Sequence, residues 1–307
     1  MNTINRLAEN FTKYLAAWVV AAVVAAYLFP GAFVPLKPFM EWFFACTMFG
    51  IGALLSVKDF QPIFRQPRLV ILGVAAQFTI MPFMAFVIAR LLNLPSSLAF
   101  GLILAGAVPD AMAAGVMSYL AEADVALSVA LTTGTTLLSP VLTPLLTYLF
   151  AREYVAIKFW PMLVSIIMMV IIPLFAGLAT RHWFPRQIDK MRPVFPAFST
   201  LFIAFICGLV VALNKESLGQ VTGAIFIAVI LLNISGLALG YWAGMLFKFG
   251  QKQRRTLAIG VGMQNAGMGA VLAIRHASAE AAIPNALFAT WCIISAAILA
   301  AVWRRKV

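Results

Sequence analysis

The sequence predicts an all-α polytopic membrane protein with ten transmembrane helices, built as two inverted five-helix repeats whose fourth and ninth helices are broken and cross. Three observations predict it. Of 307 residues, 63% are hydrophobic and 10% charged, against about 25% charged in a soluble domain. Apolar stretches near the ~20 residues needed to span the hydrocarbon core recur along the whole length. Two of them carry a polar interruption, one in each half. The first is Ala107-Val-Pro-Asp-Ala-Met-Ala113 and the second Gly260-Val-Gly-Met-Gln-Asn-Ala-Gly-Met-Gly269. Paired interruptions of this kind point to a secondary transporter with its site near the midplane.

The expected spans are 13–29, 38–57, 69–90, 97–121, 125–150, 158–180, 194–213, 219–247, 254–277 and 283–303. The first follows a polar N-terminal stretch, so no cleavable signal peptide is expected. Connections are short and leave no room for an extramembrane domain. With the N-terminus inside, 16 of the 22 Lys and Arg residues fall on the cytoplasmic side: Arg6, Lys13, Lys58, Arg65, Arg68, Arg181, Arg186, Lys190, Arg192, Lys248, Lys252, Arg254, Arg255, Arg304, Arg305 and Lys306. The other six, Lys37, Arg90, Arg152, Lys158, Lys215 and Arg275, fall outside. This positive-inside bias explains the formal charge of +12 without nucleic acid. An even number of spans puts both termini in the cytoplasm. Because five is odd, the second set of five is inverted relative to the first.

Within span four, Pro109 ends the first half-helix by removing a backbone donor. Asp110 then stands where the second half begins, a position that favours Asp as N-cap. It is the one acid deep in a span, since Glu41 lies near an interface. The residue caps the half-helix, or it serves as a cation ligand, proton site or substrate contact. Ala111, Ala113, Ala114 and Gly115 allow close helix approach. In span nine, four glycines surround Met263, Gln264 and Asn265, so the backbone can unwind and offer carbonyls to a cation or N–H groups to an anion. The bland alternative is a polar contact between helices.

Other spans add polar groups. Gln77 lies mid-span before Pro82, and Asn233 lies in span eight. Ser128, Thr132, Thr133, Thr135, Thr136 and Ser139 stand in span five, most of them on one helical face. Single hydroxyls of this kind often bond the carbonyl one turn back. Cys46, Cys207 and Cys292 lie in apolar segments and read as packed thiols. No nucleophile–base pair, phosphate loop or metal-ligand pattern appears, which argues against an enzyme and against an ATP-driven pump. No cofactor is expected beyond Na+ or H+ as coupling ion.

The chain resembles the bile acid:sodium symporter family. The resemblance is carried by Met48-Phe-Gly-Ile-Gly-Ala-Leu-Leu55, Gln77-Phe-Thr-Ile-Met-Pro82, Val116-Met-Ser-Tyr-Leu-Ala121, Asp124-Val-Ala-Leu-Ser-Val129, Val261-Gly-Met-Gln-Asn265 and Asn285-Ala-Leu-Phe288. It implies a panel domain, about 13–57 and 158–213, and a core domain, about 69–150 and 219–303, that move against each other to give alternating access. It implies a small organic anion as substrate, bound at the crossing by Asp110, Met112, Ala113, Asn265 and Gly267. It also implies a cation site from Gln77, Ser128, Thr132 and Gln264, with the carbonyls of Val261 and Met263, to which Asp110 is added here.

The chain departs from the family pattern at that site. Sodium-coupled members usually have Ser-Asn where Ala114-Gly115 stands, and glutamate where Gly260 stands. Asp110 replaces a usual glycine, and Met112 replaces a smaller, usually polar residue. Three readings follow: a sodium symporter of the bacterial inner membrane, a proton-coupled or uncoupled carrier of the same fold, and, from another class, a channel or non-transporting solute sensor.

Overall fold

A computed structural model describes residues 11–12, 14–56, 61–216 and 223–304. Arg6, Lys13, Lys58, Arg305 and Lys306, counted in the orientation argument, lie outside the described residues. Among the described residues every regular element is helical. The main helices in chain order are α1 (Leu15–Leu28), α2 (Met40–Leu54), α3 (Pro67–Leu91), α4 (Ser96–Ala107), α5 (Ala114–Leu120), α6 (Val125–Ala151) and α7 (Phe159–Trp183). They continue with α8 (Pro185–Met191), α9 (Val194–Leu213), α10 (Gly223–Leu246), α11 (Gln251–Gly262), α12 (Ala266–His276) and α13 (Ile283–Arg304).

Among the described residues, six helices are long and apolar enough to cross a membrane: α3, α6, α7, α9, α10, and α13 with its leading turn from Glu280. A seventh span arises if Ala17–Leu28 and Pro30–Leu54, bent by 110° at their junction, count as one. The fold is that of an all-helical polytopic membrane protein. The expected spans 97–121 and 254–277 are each two short helices, α4 with α5 and α11 with α12, separated by non-helical backbone.

Local chemistry sets several boundaries. Asp124 caps α6, its carboxylate accepting the Leu127 N–H at 3.0 Å. Pro67 and Pro185 open α3 and α8, where the missing N–H is no loss. A π turn over Ile167–Ile171 runs into Pro173, whose absent N–H removes a rung of the ladder.

The described residues fall into two compact units, one within 1–57 and 164–220, the other within 58–163 and 221–307. In the first, α2 and the later half of α7 pack backbone to backbone. A Cβ on Gly52 would meet the Leu174 carbonyl, and one on Gly177 the Phe49 carbonyl, so glycine is what permits the approach. Phe44 and Phe202, 5.3 Å apart, fill the adjoining core. In the second unit, α4 is buried along Leu98–Ala107, with α3, α6 and α13 packed on it.

The thiols are not alike. Cys207 and Cys292 are buried as expected, whereas Cys46 is exposed. An apolar span has a lipid-facing side, and position within an apolar run does not say which side a residue takes. Arg255, counted above among the basic residues of the cytoplasmic side, is buried inside α11.

Candidate functional site at the paired helix breaks

The two interruptions meet. Asp110 and Gln264 form an isolated antiparallel bridge. The Ala111 N–H donates to the Met263 carbonyl at 2.9 Å, and the Asn265 N–H donates to the Pro109 carbonyl at 2.8 Å. Each broken helix thus supplies backbone partners that the other lacks, which is how non-helical backbone is tolerated at membrane depth.

The carbonyls left at the two half-helix ends are met by the same device. Thr143 of α6 donates its hydroxyl to the Ala107 carbonyl at 2.8 Å. Asn233 of α10 donates Nδ2 to the Gly262 carbonyl at 2.8 Å. Asn233 was legible as a polar group in an apolar span. Thr143 was not singled out, because a membrane threonine usually bonds its own helix.

The Asp110 carboxylate is buried and does not cap α5. That helix begins at Ala114, with Ala113 as N-cap and no side-chain cap bond. Pairing with Gln264 holds Asp110 in the bridge, four residues before the helix starts, and turns its side chain to α6. There Thr132 donates to Oδ2 at 2.7 Å. The other oxygen, Oδ1, is buried with no hydrogen-bond partner among the described residues. No Lys or Arg ion pair reaches Asp110 among them either.

Gln77 of α3 donates Nε2 to Oε1 of Gln264 at 2.7 Å, and Gln264 donates Nε2 to the Val261 carbonyl at 2.7 Å. The Gln77 Oε1 is a second buried acceptor without a partner. Gln77, Asp110, Thr135, Gly260 and Val261 line one small cavity of about 10 Å³, room for a single water. A Cβ on Gly260 would lie 3.4 Å from Asp110 Oδ2. The carboxylate therefore sits against the bare face of that glycine.

The hydroxyl stripe on α6 divides. Thr135 and Ser139 bond carbonyls three residues back, at 3.1 and 2.8 Å, as isolated membrane hydroxyls do. Thr132 reaches Asp110 instead. Ser128 and Thr136 are buried hydroxyls without a partner among the described residues. Ser128 lies one turn before Thr132, but no hydrogen bond joins it to Asp110, Gln77 or Gln264.

Burial separates the two sets of residues named from the sequence, apart from Asp110, which was named in both. Gln77, Asp110, Ser128, Thr132, Val261, Met263 and Gln264 are all buried. Met112, Ala113, Asn265 and Gly267 are partly exposed. The Asn265 side chain also caps α12, its Oδ1 accepting the Met268 N–H at 3.2 Å. The carbonyls of Val261 and Met263 each already accept one hydrogen bond, and each keeps a second lone pair.

Three supports were missed from sequence. Asn285 donates Nδ2 to the Gly101 carbonyl at 2.9 Å, and its Oδ1 presses on Gly269 where a Cβ would stand. It thereby joins α4 and α12 to the start of α13. Arg255 donates Nη1 to the Ala121 carbonyl at the end of α5, at 3.0 Å, with its guanidinium 5.6 Å from the Trp303 ring centre. Thr256 Oγ1 lies 2.9 Å from both the Asp124 amide, which donates to it, and the Asp124 carbonyl, to which it donates. Asp124 and Asn285 stood inside motifs that carried the family resemblance, yet motif membership did not disclose these contacts.

The sequence model of the Sodium Bile acid symporter family matches residues 42–221. The chain belongs to that family. It is 39% identical over 307 residues to the "Uncharacterized sodium-dependent transporter YocS" of Bacillus subtilis (strain 168), covering 100% of this chain and 96% of that one. It is 32% identical over 261 residues to the "Probable sodium/metabolite cotransporter BASS1, chloroplastic" of Arabidopsis thaliana, covering 85% of this chain and 65% of the relative. It is 30% identical over 307 residues to the "Probable sodium/metabolite cotransporter BASS2, chloroplastic" of Oryza sativa subsp. japonica, covering 99% and 73%. The chain spans about two thirds of the Arabidopsis relative's length. The family and these relatives are transporters rather than enzymes, and the protein is a multi-pass membrane transporter of a small-molecule solute.

Proposed function

We propose that the protein is a secondary active transporter of a small organic anion in the bacterial inner membrane, working by alternating access and coupled to sodium at a site centred on Asp110. The ten-span architecture of two inverted repeats, with both termini cytoplasmic, belongs to this reading. One observation carries it. Asp110 Oδ1 and Gln77 Oε1 are buried acceptors without donors among the described residues, and both residues line one small cavity. Orphaned acceptors are costly in a low-dielectric interior, and a small cation taking oxygen ligands supplies what they lack. Of the residues present, Asp110, Gln77 and Val261 line the cavity and would give the charge, a neutral oxygen and a free carbonyl lone pair, while Thr132, bonded to Asp110, and the nearby Ser128 and Met263 would add further oxygens.

The same arrangement gives a reason for coupling. A bare carboxylate beside the breaks repels an incoming anion. A cation on Asp110 cancels that charge and favours the anion against the partly exposed Met112, Ala113, Asn265 and Gly267. Each ligand then raises the affinity for the other by the same factor.

A proton is the second reading, favoured by the cavity's small size and by the lack of a basic partner for Asp110. Thermal unfolding of the purified protein in NaCl and KCl at equal ionic strength, at pH 6 and pH 8, separates them. A ligand that binds only the folded state stabilises it. Sodium-specific stabilisation lost in Asp110→Asn supports sodium symport. No sodium effect, with a pH dependence that vanishes in Asp110→Asn, replaces it with proton coupling. Counterflow of labelled solute in proteoliposomes tests transport itself, since a sensor binds without exchanging solute.

A further inference from the structure

We propose that the groove where α2 and α7 end is a binding site for an anionic glycerophospholipid. The groove encloses about 560 Å³ within the first unit, in the range of pockets that hold drug-sized ligands. Its wall is apolar, with Leu55, Phe175, Leu178 and Trp183, and its rim carries Ser56, Arg181 and His182. Apolar wall and basic rim match an acyl chain joined to a phosphate.

Charge and the aromatic residues commit the site to a lipid. From Arg181 to Arg192 the chain carries Arg181, Arg186, Lys190 and Arg192 against a single acid, Asp189. Asp189 takes up part of one of these charges, accepting from Arg181 Nη1 at 3.3 Å. The same nitrogen lies 3.4 Å from the Ala53 carbonyl, which steadies the guanidinium at the rim. Arg186, Lys190 and Arg192 are exposed beside it on and just after α8. Trp183 is 70% exposed and Phe184 51% exposed at the junction of α7 with α8. Aromatic rings of this kind mark the membrane–water boundary, the depth at which a phosphate headgroup lies. Basic pockets at that level recognise anionic lipids.

The test uses the full-length protein in detergent, with phosphatidylglycerol, phosphatidylcholine or inorganic phosphate added. Thermal midpoints and the lipid retained in native mass spectra are read for wild type, His182→Gln and Ala179→Phe. Ala179 lines the groove, so phenylalanine there fills it while leaving every basic residue in place. Phosphatidylglycerol is expected to raise the midpoint more than phosphatidylcholine does. That excess is reduced in His182→Gln and lost in Ala179→Phe, as is the retained lipid. Equal effects of the two lipids overturn the proposal, as does an excess unchanged in both variants. A rise reproduced by inorganic phosphate alone also overturns it, since the site then reads a free anion. Retained-lipid spectra decide the case in which a variant lowers the midpoint for its own reasons.

Discussion

Thr132 donates its hydroxyl to Asp110 across 2.7 Å and so ties the long helix α6 to the break after α4. This bond satisfies one carboxylate oxygen and leaves the other to whatever occupies the cavity. Thr132→Val keeps the side chain's shape and removes the donor. The variant should lose about 1–3 kcal/mol of stability, the cost of an unsatisfied buried acceptor. Thr132→Ser should lose less. Thermal unfolding in detergent reads both, and equal midpoints for wild type and Thr132→Val would count against the bond.

Asn285 and Gly269 test the fit between α12 and α13. Gly269→Ala places a methyl group on Asn285 Oδ1 and should cost about 1–3 kcal/mol by overpacking. Asn285→Ala alone loses the bond to Gly101. The double variant should be less destabilised than the sum of the two, because the clash needs both side chains. A double-mutant cycle that adds independently would show the helices separating to make room.

The half-helix ends depend on donors from their neighbours. Thr143→Val and Asn233→Leu each strip the partner from a buried terminal carbonyl, at Ala107 and Gly262. A loss of about 1–3 kcal/mol is expected for each. Hydrogen exchange should rise at Ala107–Ala113 in the first variant and at Gly262–Asn265 in the second. Protection unchanged at the breaks would assign the carbonyls to another partner.

Arg255 predicts a stability effect without a salt effect. Its bond to Ala121 is buried, its guanidinium lies over the partly exposed Trp303 ring, and neither contact involves a carboxylate. Arg255→Gln should lower stability by about 1.5–3 kcal/mol, the range for hydrogen bonds to a charged group. The loss should be the same at low and high salt, since buried contacts are weakly screened. A deficit that disappears in high salt would reveal an ion pair instead.

What was legible in the sequence follows from the range of each interaction. Proline beside an acid, and four glycines around Gln264 and Asn265, are local statements, and both breaks are found where those residues stand. The Asp110–Gln264 pairing joins residues far apart in the chain, so the bridge could not be read from either segment. The alternative in which Asp110 caps α5 applied a local preference that the tertiary pairing overrode, and the helix starts four residues later. The two spans that contain the breaks were expected to be interrupted, because the proline, the acid and the glycines mark a break that hydropathy alone does not record, and each is found as two short helices. The serine and threonine stripe gave the buried face of α6, but not which hydroxyl leaves its own helix to reach Asp110.

The two backbone bonds between the breaks, Ala111 to Met263 and Asn265 to Pro109, have a mechanical consequence. Pulling the interruptions apart exposes four polar groups with no replacement partners, so the pair behaves as a rivet rather than a hinge. Asp110 and Gln264 keep their spacing through any rearrangement that leaves the rivet intact. On the proposed sodium reading, release of the ion would then depend on water reaching the cavity rather than on Asp110 and Gln264 moving apart.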